Sequence, residues 1–89
     1  MTSARIFVTL KDGILDPQGK AVQHAIDNLG IADVNEVRIG KLINLTFGEV
    51  SAAEALKLSR EACEKLLANP VIEDYKIEVV AEDEKKHVG

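Results

Sequence analysis

Asn35-Glu36-Val37-Arg38-Ile39-Gly40-Lys41-Leu42-Ile43-Asn44-Leu45-Thr46-Phe47 is the stretch on which the architecture turns. It is rich in valine, isoleucine and leucine, and Gly40-Lys41 interrupts it near its middle. One reading is two strands, about Val34–Ile39 and Leu42–Phe47, joined at or near the glycine. The other is one long bent strand with a bulge at Gly40. Periodicity alone leaves both open.

Upstream, Arg5 to Lys11 alternates, with Ile6, Val8 and Leu10 on one face and Phe7 and Thr9 on the other. That period of two predicts a strand, which Asp12-Gly13 breaks. Asp16-Pro17 marks a helix start: the carboxylate accepts a free backbone amide, and proline suits a first helical position that needs no donor. Ala21, Val22, Ala25, Ile26 and Leu29 then form one apolar stripe, and Gly30 is the expected stop.

Downstream, Ser51-Ala52-Ala53-Glu54 has the spacing of a capping box. Ala55, Leu56, Ser59, Ala62, Cys63, Leu66 and Leu67 follow on one helical face, and Asn69-Pro70 is expected to end the helix. Tyr75, Ile77 and Val79 alternate with Lys76 and Glu78, which predicts a last strand. The order predicts an α+β fold, a ferredoxin-like β-α-β-β-α-β sandwich with a four-stranded antiparallel sheet and two helices on one face. One domain over residues 1–81 is expected, followed by a charged, flexible tail over 82–89.

The formal charge of −4 and an aromatic content of 3% argue against nucleic acid, which calls for a basic surface and stacking platforms. A single cysteine allows no internal disulfide and suits a reducing cytosol. The start, Met1 to Arg5, shows no basic region followed by an apolar run, and no run approaches the roughly 20 apolar residues of a membrane span. The expectation is a cytoplasmic protein with no membrane partner.

Two helices cover one side of a sheet and leave the other to water or protein. Phe7 points to that second side, as do Leu42 and Val80 by their parity. Homo-oligomerisation through the sheet is the expected use of these residues. A chain of 89 residues, with its large exposed fraction, gains stability by associating.

No catalytic constellation stands out. Cys63 lies on an apolar helix face and reads as a small buried hydrophobe, while His24 and His87 have no partner at metal-ligand spacing. The glycines are scattered, so no phosphate loop forms. Gly19 in a first helical turn implies a close backbone approach, either by the protein's own sheet or by a partner. Arg38 and Lys41 flank a flexible residue, where a solvated edge and a carboxylate of another subunit are equally good readings. The residues alone thus reach an oligomerising module, or alternatively a ferredoxin-like regulatory domain that binds a small metabolite at a dimer interface.

Four stretches carry a family resemblance: Val8-Thr9-Leu10-Lys11, Ile14-Leu15-Asp16-Pro17-Gln18-Gly19-Lys20-Ala21, Val37-Arg38-Ile39-Gly40-Lys41, and the run from Cys63 through Leu66-Leu67-Ala68-Asn69-Pro70 to Tyr75. Together they resemble the PurS family, the small subunit of phosphoribosylformylglycinamidine (FGAM) synthase. The resemblance implies a non-catalytic subunit in purine synthesis that assembles with itself, a glutaminase subunit and a large subunit. In that family the large subunit uses ATP and magnesium to convert formylglycinamide ribonucleotide to the amidine, and the small subunit supports ammonia transfer and binds no cofactor. By position, Asp16, Gln18, Gly19, Arg38, Lys41, Asn69, Glu73 and Asp74 become candidates for subunit contacts, beside Phe7. Simple capping accounts equally well for Asp16 and Asn69. Asn44 departs from the pattern, since the family often has glutamate there.

Overall fold

The computed structural model describes residues 1–81, and the expected tail lies outside them. The elements run β1 (Thr2–Leu10), α1 (Pro17–Asn28), β2 (Gly40–Phe47), α2 (Ala52–Ala62), a π-helical turn (Cys63–Leu67) and β3 (Glu73–Ala81). β1 is central, with β2 and β3 antiparallel on either side in the order β2-β1-β3.

The alternation read in β1 sets its two faces. Thr2, Ala4, Ile6 and Val8 are buried toward α2, and Ser3, Arg5, Phe7 and Thr9 point the other way. The register puts Ile43 and Ile77 on either side of Ile6, and Leu45 and Val79 on either side of Ala4. Cys63 and Ala68 close the core from the helical side, and Leu67, Tyr75 and Ile77 pack around it. Burying Ile6 and Val8 contributes about 1.5–3 kcal/mol each.

Three expectations change. The sheet among the described residues has three strands, because residues 34–39 do not join it and β2 begins at Gly40. Side chains, rather than a neighbouring strand, take up the backbone of that segment. Gln23 Nε2 donates to the carbonyls of Val34 (3.2 Å) and Asn35 (3.0 Å), and the Asp16 carboxylate accepts the Ile39 N–H at 2.8 Å. Asp33, with φ 69°, turns the chain just before it. At Gly40 the backbones crowd: a Cβ there would sit 2.6 Å from the Val8 carbonyl oxygen.

The helices also do not share the sheet. α2 packs across β1 and β3, whereas in α1 only Gly19 is buried. The α1 stripe faces outward, with Leu29 75% exposed. Within the second helical region, the π turn inserts one residue per turn, closing Ala68 N–H onto the Cys63 carbonyl at 3.1 Å. The phase shift keeps Leu67 on the core and turns Leu66 out to 80% exposure, contrary to the helical-face reading.

Candidate functional site: a candidate subunit interface at one end of the sheet

The polar candidates meet at one end of the sheet, where β1 ends and β2 and β3 begin. Asp16 caps α1: its Oδ1 accepts the Gly19 N–H at 2.9 Å, while Oδ2 accepts Ile39 N–H. Those two amides, the Ile39 one foremost, hold its carboxyl below the ordinary value of 3.8, against the opposing effect of burial and with help from Arg38. Gly19 is a glycine because the Val37 carbonyl oxygen occupies the place of its Cβ. That approach comes from residues 34–39 of the same chain, a segment outside the sheet.

Arg38 reaches back to the end of β1. Its Nη2 donates to the Leu10 carbonyl at 2.9 Å and the Lys11 carbonyl at 3.1 Å, and Nη1 lies 3.5 Å from Glu36. Lys11 in turn donates to Asp74 Oδ1 at 2.8 Å. Asn69 and Glu73 bind each other: the Asn69 N–H donates to Glu73 Oε1 at 2.7 Å, and the Glu73 N–H donates to the Asn69 carbonyl at 2.7 Å. Asn69 Oδ1 also accepts the Val71 N–H at 3.0 Å, so this residue makes the tight exit from the π turn.

The side chains of Gln18 and Lys41 stand apart from these bonds, although the Gln18 backbone also helps to hold the Asp16 carboxylate. Both line a cleft of about 280 Å³ with Asp16, Glu73 and the apolar Leu10 and Ile39. Lys41 projects on the helix-facing side of β2, opposite buried Val8. Phe7 lies on the other side of the sheet and is not part of this cluster. Its row there is Leu42-Phe7-Lys76, beside the row Asn44-Arg5-Glu78. Arg5, next to Asn44, has Glu78 on its other side at 3.9 Å.

Sequence reasoning missed Gln23, Lys11 and the Ile39 amide, which hold this end together. Their partners lie 11 to 63 positions away, and no local pattern announces them. Chemically, the cluster is a scaffold of charge-assisted hydrogen bonds around a half-apolar cleft. Among the described residues no group of three or more His, Cys, Asp or Glu is placed to hold a metal ion. Cys63 is fully buried, and burial, then the Glu64 charge, pushes its thiol pKa up, away from nucleophilic use. No helix of the described residues is long and apolar enough to cross a membrane.

Comparison with known proteins gives the family of the chain. The PurS subunit of phosphoribosylformylglycinamidine synthase from Bacillus subtilis is 51% identical over 79 residues, 89% of this chain and 93% of that protein. The crystal structure of Methanocaldococcus jannaschii PurS superposes with a TM-score of 0.84 at 38% identity, covering 93% of this chain and all of that one. A chain in the structure of PurLQS from Thermotoga maritima matches with a TM-score of 0.78 at 26% identity, covering 90% of this chain and 99% of its own length. Residues 3–81 match the family described as PurS: Phosphoribosylformylglycinamidine (FGAM) synthase, and the chain belongs to that family.

Proposed function

We propose that this chain is the small, non-catalytic subunit of an FGAM synthase, an assembly that makes formylglycinamidine ribonucleotide in purine biosynthesis. The observation that carries this reading is the match of 90% of this chain to 99% of a chain of the Thermotoga maritima PurLQS structure, together with 51% identity to the Bacillus subtilis subunit. The chain bridges the large subunit, which uses ATP and magnesium, and the glutaminase subunit, and supports the passage of ammonia between them. It also associates with itself. Its contribution is a rigid recognition surface: the sheet end bearing Gln18 and Lys41, whose framework of Asp16, Arg38, Asn69 and Glu73 fixes their geometry.

The test is glutamine-dependent amidine synthesis by the matching large and glutaminase subunits, with and without this chain, beside ammonia-dependent synthesis. Addition of the chain is expected to raise the glutamine-driven rate many-fold and to change the ammonia-driven rate much less. Unchanged rates, with no co-elution of the three proteins, would overturn the reading.

A further inference from the structure

β2 carries an exception to its own pattern. Ile43, Leu45 and Phe47 share the helix-facing side of the strand, and the period of two puts Lys41 at the head of that apolar row. Across the sheet the same row holds Val8, which is buried, and Tyr75, which is half-buried. Lys41 makes no hydrogen bond or ion pair among the described residues, and neither does the side chain of Gln18.

Both line the cleft of about 280 Å³ together with the apolar Val8, Leu10 and Ile39. The acids of that cleft are already engaged. Both Asp16 oxygens accept backbone amides, and Glu73 Oε1 accepts the Asn69 N–H. Glu73 stands on β3 and Lys41 on β2, with β1 between them, so two strand spacings set their backbones roughly 10 Å apart. A ligand therefore meets one cation and one side-chain amide, an apolar lining, and negative charge across β1 from the cation.

We infer that the cleft receives a glutamate or aspartate side chain of a partner subunit, with its carboxylate on Lys41 and its methylene stem on the apolar lining. In the free chain the exposed ammonium is hydrated and needs no partner. A partner that covered the cleft with apolar groups alone would strip that water and leave a buried charge unmatched, which is costly. A single carboxylate balances Lys41. A phosphate fits worse, because its second charge would face Asp16 and Glu73 and no second cation lines the cleft. The inference rests on the reading of the chain as an assembly subunit and names the chemistry that its sheet end recognises. The parent protein tests that reading, and variants at position 41 test the cleft alone.

The experiment measures binding of the parent, Lys41→Arg and Lys41→Met chains to the matching large and glutaminase subunits over a range of salt concentrations. Lys41→Met is expected to weaken binding at least about tenfold and to flatten its salt dependence, while Lys41→Arg keeps most of both. The unfolding midpoints of the isolated chains should match, which separates lost recognition from lost folding. Carbodiimide treatment of the assembled complex joins an amine to a carboxylate that it touches. Mass spectrometry of the digest is expected to find Lys41 linked to a glutamate or aspartate of the large or glutaminase subunit. Parent-like affinity and salt dependence for Lys41→Met would overturn the inference and leave Lys41 as a guard of the β2 edge. Coupling of Lys41 only to a second copy of this chain would overturn it as well. A parent chain that binds neither subunit would remove the assembly reading itself, and the cleft's role with it.

Discussion

Asp16 Oδ2 accepts the backbone N–H of Ile39 at 2.8 Å, across 23 positions of sequence. The same carboxylate caps α1 through Gly19, so one side chain fixes both the start of a helix and the approach to β2. Residues 34–39 are thereby held by side chains, and the cleft bearing Gln18 and Lys41 takes its shape from that hold.

Acid should loosen this end first. The two amides that lower the Asp16 pKa favour its ionised form in the folded protein, so its contribution is fully present above the unfolded value, near 4. The contribution is lost as pH falls through the lowered native pKa. Replacing Asp16 with Ala is expected to drop the thermal midpoint at pH 7 by several degrees, with a smaller difference from the parent at pH 2. Circular dichroism melts at the two pH values check this, and an equal difference at both would contradict it.

Gly19→Ala should reverse the usual rule. Alanine in place of glycine within a helix normally stabilises by about 0.5–1 kcal/mol. Here the Val37 carbonyl fills the site, so the substitution is expected to cost about 1–3 kcal/mol. Urea denaturation measures the difference, and a stabilised variant would show that the segment moves aside freely.

Lys41 and Arg38 should separate by phenotype. Arg38→Glu removes the bonds to the Leu10 and Lys11 carbonyls and is expected to lower the unfolding midpoint. Lys41→Glu breaks no bond within the described residues and should leave that midpoint almost unchanged, while lowering the glutamine-dependent rate with the partner subunits. Full rate with Lys41→Glu would remove this residue from the interface.

Ser59→Ala is expected to be neutral or to stabilise by about 1 kcal/mol, because the Ser59 hydroxyl is buried without a partner among the described residues. Four residues on, Cys63 is equally buried, and a thiol reagent should modify it only on unfolding.

Leu66→Ser should change stability by less than about 0.5 kcal/mol, and Leu67→Ala should cost about 2 kcal/mol. The contrast follows from the π turn, which exposes the first and packs the second against the core. Equal costs for both would argue for an ordinary helix continuing through Leu67.

The sequence by itself determined the features that depend on near neighbours. The alternation of Ile6 and Val8, the Asp16-Pro17 cap and the Ser51–Glu54 cap are all present, the last with the Ser51 hydroxyl accepting Glu54 N–H at 3.1 Å. It also carried the family motifs, because their order and spacing are written in the chain. Only the tertiary structure decided the fate of residues 34–39 and the seat of α1. Val37 and Ile39 have strand propensity, but Gln23, Asp16 and the Gly19 backbone meet that segment before a neighbouring strand does. An apolar stripe specifies that a helix face seeks cover, and not what covers it. Hydrogen bonds and packing between positions far apart in sequence have no periodicity to read, so their partners become visible only once the chain has folded.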